Sequence, residues 1–151
     1  MELKLEMMQP YRIAYIRTTG PYGANNMHTM EELKNWARQN GLLNDSAILL
    51  GIALDNPETT ESEHCRYDTC IVVAENYDIT DCHINDRKQA GGNYAVFTIE
   101  HTAEAILKAW VDIFPALLMN GYQMDGTRPI LERYAMQMVN RHLCEICVPV
   151  C

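Results

Sequence analysis

Tyr11-Arg-Ile-Ala-Tyr-Ile-Arg17 alternates apolar and polar side chains with the period of a half-buried strand. Thr18-Thr-Gly-Pro-Tyr-Gly23 follows and reads as a turn. Met27, Met30, Leu33 and Ala37 then recur at helical spacing, and Gly41 is placed to end that helix. Two apolar runs of strand length come next, Ala47 to Leu54 and the Ile- and Val-rich Tyr67 to Ala74. The order is strand, helix, strand, strand.

The same order returns further along. Tyr94-Ala-Val-Phe-Thr-Ile99 is the opening strand. Thr102 suits a helix N-cap, with Glu104 in the first turn. Ile106, Ala109, Trp110 and Ile113 form an apolar stripe, and Gly121 ends the stretch. Pro115 should kink this helix or start a second one, since an interior proline costs about 3 kcal/mol or more. Arg128 to Ala135 and Leu143 to Val150 supply the last two strands. Met1 to Met8 also alternates and reads as an extension of the first strand, bent at Pro10. Residues 55–65 read as a polar hairpin loop and 76–92 as the connection between halves.

A unit of about 70 residues covers only one face of its sheet, so two units must pack together. The expected fold is α+β: duplicated βαββ units, halves near 1–75 and 93–151, forming one antiparallel sheet with helices on one face. The whole chain, 1–151, then makes a single domain with a concave site at the pseudo-twofold junction.

Composition narrows the function. Among 151 residues, 12 are basic and 20 acidic, a net charge of −8. That disfavours direct nucleic-acid binding, which needs a basic face, and an anionic membrane surface. No apolar run reaches the roughly 18 residues of a spanning helix, and the N-terminus lacks an export signal, so a cytoplasmic location is expected. The six cysteines are then expected to be reduced. Cys144-Glu-Ile-Cys147 is formally a CxxC, but within a strand its two thiols point to opposite faces. The five histidines show no metal spacing, and no Ser-His-Asp order or nucleotide loop occurs. Neither metal nor cofactor is expected.

One acidic residue stands apart. Strict alternation puts Ile130, Glu132 and Tyr134 on one strand face and Leu131, Arg133 and Ala135 on the other, so both faces are mixed. Glu132 reads either as a solvated carboxylate paired with an arginine, or as a buried one at the floor of an aromatic pocket, with a raised pKa. Eight tyrosines against two phenylalanines suit amphipathic pocket walls. Tyr67 and Trp110 are candidates for those walls or for plain core.

These features, in order, resemble the gyrase-inhibitor-like (GyrI-like) small-molecule-binding family, related to the effector-binding domains of AraC-type and multidrug-responsive activators. The stretches that carry the resemblance are Arg12-Ile-Ala-Tyr-Ile-Arg-Thr-Thr-Gly-Pro-Tyr22, Arg66-Tyr-Asp-Thr-Cys-Ile-Val-Val73, Gly92-Asn-Tyr-Ala-Val-Phe97, Ala109-Trp110, Gly121-Tyr122, Arg128-Pro-Ile-Leu-Glu-Arg-Tyr134 and Cys147-Val-Pro-Val150. The resemblance implies a central groove for hydrophobic, often cationic or planar, molecules. Glu132 would be the key polar group, with Trp110, Tyr67 and Tyr134 as walls. It also implies two alternatives: hydrolysis of cyclopropane-bearing DNA-alkylating toxins, with Glu132 and Tyr67 as the catalytic pair, and modulation of gyrase or another topoisomerase.

Overall fold

The computed structural model describes residues 1–151. Its strands are β1 (Glu2–Met8), β2 (Tyr11–Thr19), β3 (Ile48–Ala53), β4 (Arg66–Val73), β5 (Asn85–Gln89), β6 (Gly92–Glu100), β7 (Leu131–Ala135) and β8 (Leu143–Pro149). Its helices are α1 (Ala24–Gln39), α2 (Ala103–Met119) and the single turn α3 (Met136–Val139). The strands form one open antiparallel sheet in the order β1-β6-β8-β7-β3-β4-β2-β5. Exchanging β1 to β4 for β5 to β8 reverses this order onto itself, with the pseudo-twofold between β7 and β3.

Each half contains the expected strand–helix–strand–strand unit, preceded by one more strand. Two expectations are corrected here. Residues 2–8 do not extend the first strand; they form a separate edge strand that pairs with β6 of the other half. The stretch 76–92 is not merely a connection, since β5 within it pairs with β2. Each half thus lends its first strand to the other. Both strands are exposed along much of their length, as edge strands are; alternation marks β1 as a strand without naming its partner, and the polar β5 shows no apolar alternation.

The link Gln9–Pro10 dictates the curvature. It joins β1 to β2, which lie six strand positions apart, or roughly 29 Å along a flat sheet. Three virtual bonds span only about 11 Å. The sheet must therefore curl until its edges approach, on the face away from the helices. Met8, Ile13, Leu50, Ile52, Tyr94, Val96, Leu131 and Cys147 pack together there. The two links meet closely: a Cβ on Gly91 would stand 2.4 Å from the Met8 carbonyl oxygen, so this position admits only glycine.

Charged groups complete that face. Arg133 is buried and donates to Glu145 Oε1 at 2.9 Å and to both Glu6 oxygens at 2.9 and 3.0 Å. Asp68, buried at the corresponding place on β4, accepts from Arg17 and Arg87. The helix face carries two separate cores. Leu33 and Ala37 of α1 pack on Ala14, Leu49 and Ile71. Ala109, Ile113 and Leu117 of α2 pack on Phe97, Ile99 and Ile146.

Thr102 caps α2, its hydroxyl accepting from the Ala105 N–H at 3.1 Å. α2 runs unbroken through Pro115, so the proline does not start a second helix. The carbonyl deprived of its donor belongs to Val111, on the solvent side of the helix, where water can satisfy it. The strand expected from Arg128 begins only at Leu131. Pro129 has no N–H for a ladder, and the Arg128 guanidinium instead donates to the carbonyls of Gly91, Asn93 and Val150. All six cysteines are free; Cys144 joins the core under α2 while Cys147 faces the opposite side. No helix is long and apolar enough to cross a membrane.

Candidate functional site

The two helix-side cores leave a gap over the central strands. This gap is a cavity of about 770 Å³ between α1 and α2. Leu49 and Ala53 of β3, Tyr67 of β4, and Glu132 and Tyr134 of β7 form its floor. On α1 the spacing 27, 30, 31, 34 puts Met27, Met30, Glu31 and Lys34 on one stripe facing the cavity. On α2 the facing residues are Leu107 and Trp110.

Alternation along β7 turns Glu132 toward the helices and Arg133 away from them. The solvated, arginine-paired reading of Glu132 therefore fails: its neighbouring guanidinium is committed to Glu6 and Glu145 on the other face. Two phenols serve it instead. Tyr134 donates to Oε2 at 2.5 Å and Tyr67 donates to Oε1 at 3.4 Å. No ion pair reaches this carboxylate. Burial pushes its pKa up, and the two phenol hydrogen bonds oppose that shift. Both phenols are themselves pushed well above the usual tyrosine range, first by burial and then by the adjacent carboxylate. They remain proton donors throughout the physiological range.

The four residues singled out in the sequence, Glu132, Tyr67, Tyr134 and Trp110, all line this cavity. Trp110 is half-buried at its wall and lies outside the fully buried stripe of α2. Met27 is 75% exposed at the cavity.

Sequence reasoning missed three neighbours. Gly51 lies opposite Glu132 in the β3–β7 ladder. The Tyr67 ring crosses above it, and a Cβ at 51 would stand 2.0 Å from Tyr67 Oη. A lone glycine inside an apolar strand is the signal for such an approach. Tyr22 packs edge-on against Tyr67 with centroids 5.9 Å apart, and its hydroxyl donates to the Arg66 carbonyl at 2.7 Å. His101 rests on Tyr134 with centroids 5.4 Å apart, and burial lowers its pKa.

Away from the cavity, Asp81, Cys82 and His83 bring one donor atom each within 4.8 Å of one another on an exposed turn. Helical metal spacing could not reveal a grouping of three successive residues.

A family model described as a GyrI-like small molecule binding domain matches residues 1–150. The chain is 41% identical over 151 residues to a Bacillus subtilis (strain 168) protein named SPbeta prophage-derived putative transcriptional regulator YosT, covering 99% of each. It is 25% identical over 136 residues to a Salmonella typhimurium DNA gyrase inhibitor, covering 89% of this chain and 86% of that one. Among solved structures it resembles the C-terminal domain of EcmrR, with a TM-score of 0.72 at 13% identity, covering 99% of this chain and 96% of that one. It spans 57% of the EcmrR chain solved with DNA, with a TM-score of 0.75. It also resembles SAV2435 bound to tetraphenylphosphonium, with a TM-score of 0.62 at 16% identity, covering 100% of this chain and 94% of that one.

Proposed function

Because the chain belongs to the GyrI-like small molecule binding domain family, we propose that it captures a hydrophobic cation between α1 and α2. In this reading Glu132 is the counter-charge and Trp110, Tyr67 and Tyr134 are the aromatic walls. One observation carries the proposal: Glu132 is a carboxylate in an apolar cavity with phenols but no cation for partners. Burying an unpaired carboxylate costs several kcal/mol. Phenol hydrogen bonds offset part of that cost, and a bound cation supplies the missing opposite charge. Aromatic rings add cation–π attraction of about 0.5–2 kcal/mol each. Met27, Met30 and Met136 give the wall adaptable side chains that suit ligands of varied outline. The likeness to a protein solved with tetraphenylphosphonium agrees with this ligand class.

Such a module sequesters or senses a toxic compound, and its expected partner is a small molecule, with no direct nucleic-acid or membrane contact. Soaking crystals with tetraphenylphosphonium tests the location. The ligand is expected between the helices with its charged centre facing the Glu132 carboxylate. Density elsewhere on the molecule, with an empty cavity, would overturn the proposal.

A further inference from the structure

We infer that the preferred ligand carries an anionic or strongly accepting group in addition to its cation, and that Lys34 receives it. This inference rests on the reading of Glu132 as the cation's partner and refines it to a zwitterion or an acceptor-bearing cation.

Helical geometry places Lys34 in the site. It stands three and four residues beyond Glu31 and Met30 on the cavity stripe of α1, and it is half-buried there. It shares the cavity lining with His101, which rests on Tyr134, the donor to Glu132. The wall therefore carries both signs of charge.

The ammonium is poorly committed within the protein. Its one ion pair is with Glu31 at 3.8 Å, and the Glu31 side chain is 67% exposed. An i, i+3 pair of that length on a helix surface is weak and screened by solvent. A ligand anion in the less polar cavity would compete well for it. Toward a bare monocation Lys34 is mildly repulsive, so an unmodified lipophilic cation leaves one wall group opposed and another unused. A ligand of mixed charge satisfies both.

A matched fluorescent pair tests this on the full chain: zwitterionic rhodamine B and its cationic ethyl ester, which differ only in the free carboxylate. Lys34→Gln is expected to weaken rhodamine B about fivefold and to raise ester affinity about twofold, a change of opposite sign for the two dyes. Loss of both dyes to the same extent, or no change in either, overturns the inference. Glu132→Gln separates this from the underlying reading. Unchanged ester binding in that variant would sink the cation reading itself, whatever Lys34→Gln does. Thermal melts of each variant show that the fold persists.

Discussion

The Tyr67 hydroxyl reaches Glu132 across Gly51, a position where even a methyl side chain would collide with it, with a Cβ only 2.0 Å from the phenol oxygen. The absence of a side chain on β3 is thus part of the site on β4 and β7. Gly51→Ala should destabilise the fold by about 1–3 kcal/mol through overpacking. It should also weaken cation binding by displacing the phenol. Adding Tyr67→Phe to this variant removes the closest clash and should recover part of the melting temperature without restoring binding. Chemical denaturation and calorimetric titration read the two effects separately.

Glu132 and Arg133 are adjacent residues with opposite energetics. Glu132 is held without a counter-ion, so Glu132→Gln should leave the melting temperature unchanged or raise it. Arg133 neutralises Glu145 and Glu6 on the buried face. Arg133→Ala leaves the buried Glu145 only a 3.9 Å contact with the exposed Lys4 and should cost about 3–5 kcal/mol. Denaturant midpoints of the two variants provide the comparison.

The fold was legible where both faces of an element are constrained. The strands Tyr11 to Arg17 and Tyr94 to Ile99 and the stripes of Leu33–Ala37 and Ala109–Ile113 declared themselves by period. The period of β1 was legible but its partner was not, and β5 was missed outright, because both pair with a strand of the other half. Within the site, Glu132 and Tyr134 share a face by alternation, but only the third dimension shows that Arg133 is spent elsewhere. Lys34 reaches the cavity through the fold, with no local pattern to announce it.

The raised pKa of Glu132 gives a pH dependence of definite sign. Its folded pKa lies above the unfolded value, so the fold favours the protonated form. Its contribution to stability is full below the ordinary glutamate range and is lost as pH rises through the folded pKa. A bound cation favours the ionised form. Cation affinity should therefore increase as pH rises through that pKa, with proton release on binding. His101, neutral at higher pH, works in the same direction. Calorimetry in two buffers of different ionisation enthalpy measures the proton released; Glu132→Gln should abolish its own share and leave that of His101.

Tyr134 tunes this titration. Its hydrogen bond lowers a pKa that burial raises. Tyr134→Phe should move the midpoint of the affinity–pH curve upward, because the ionised carboxylate loses a donor. A carboxyl-carbon NMR titration of Glu132 reads the same shift directly.

Glu132 beside two protonated phenols could also serve as a base with an acid, as hydration of a strained cyclopropane would need. The binding account predicts that a cyclopropane-bearing alkylator incubated with the protein is recovered unchanged at the buffer rate. A hydrated product formed faster, and lost in Glu132→Gln, would make the same cavity an active site.

In the proposed reading Glu132 provides charge recognition inside an apolar cavity. Titrating the protein and its Glu132→Gln variant with tetraphenylphosphonium and with neutral triphenylphosphine oxide tests it most directly. The account predicts a loss of at least about tenfold for the cation, or about 1.4 kcal/mol, and equal affinity of both proteins for the neutral oxide. Equal losses for the two compounds, or an undiminished affinity for the cation, would contradict it.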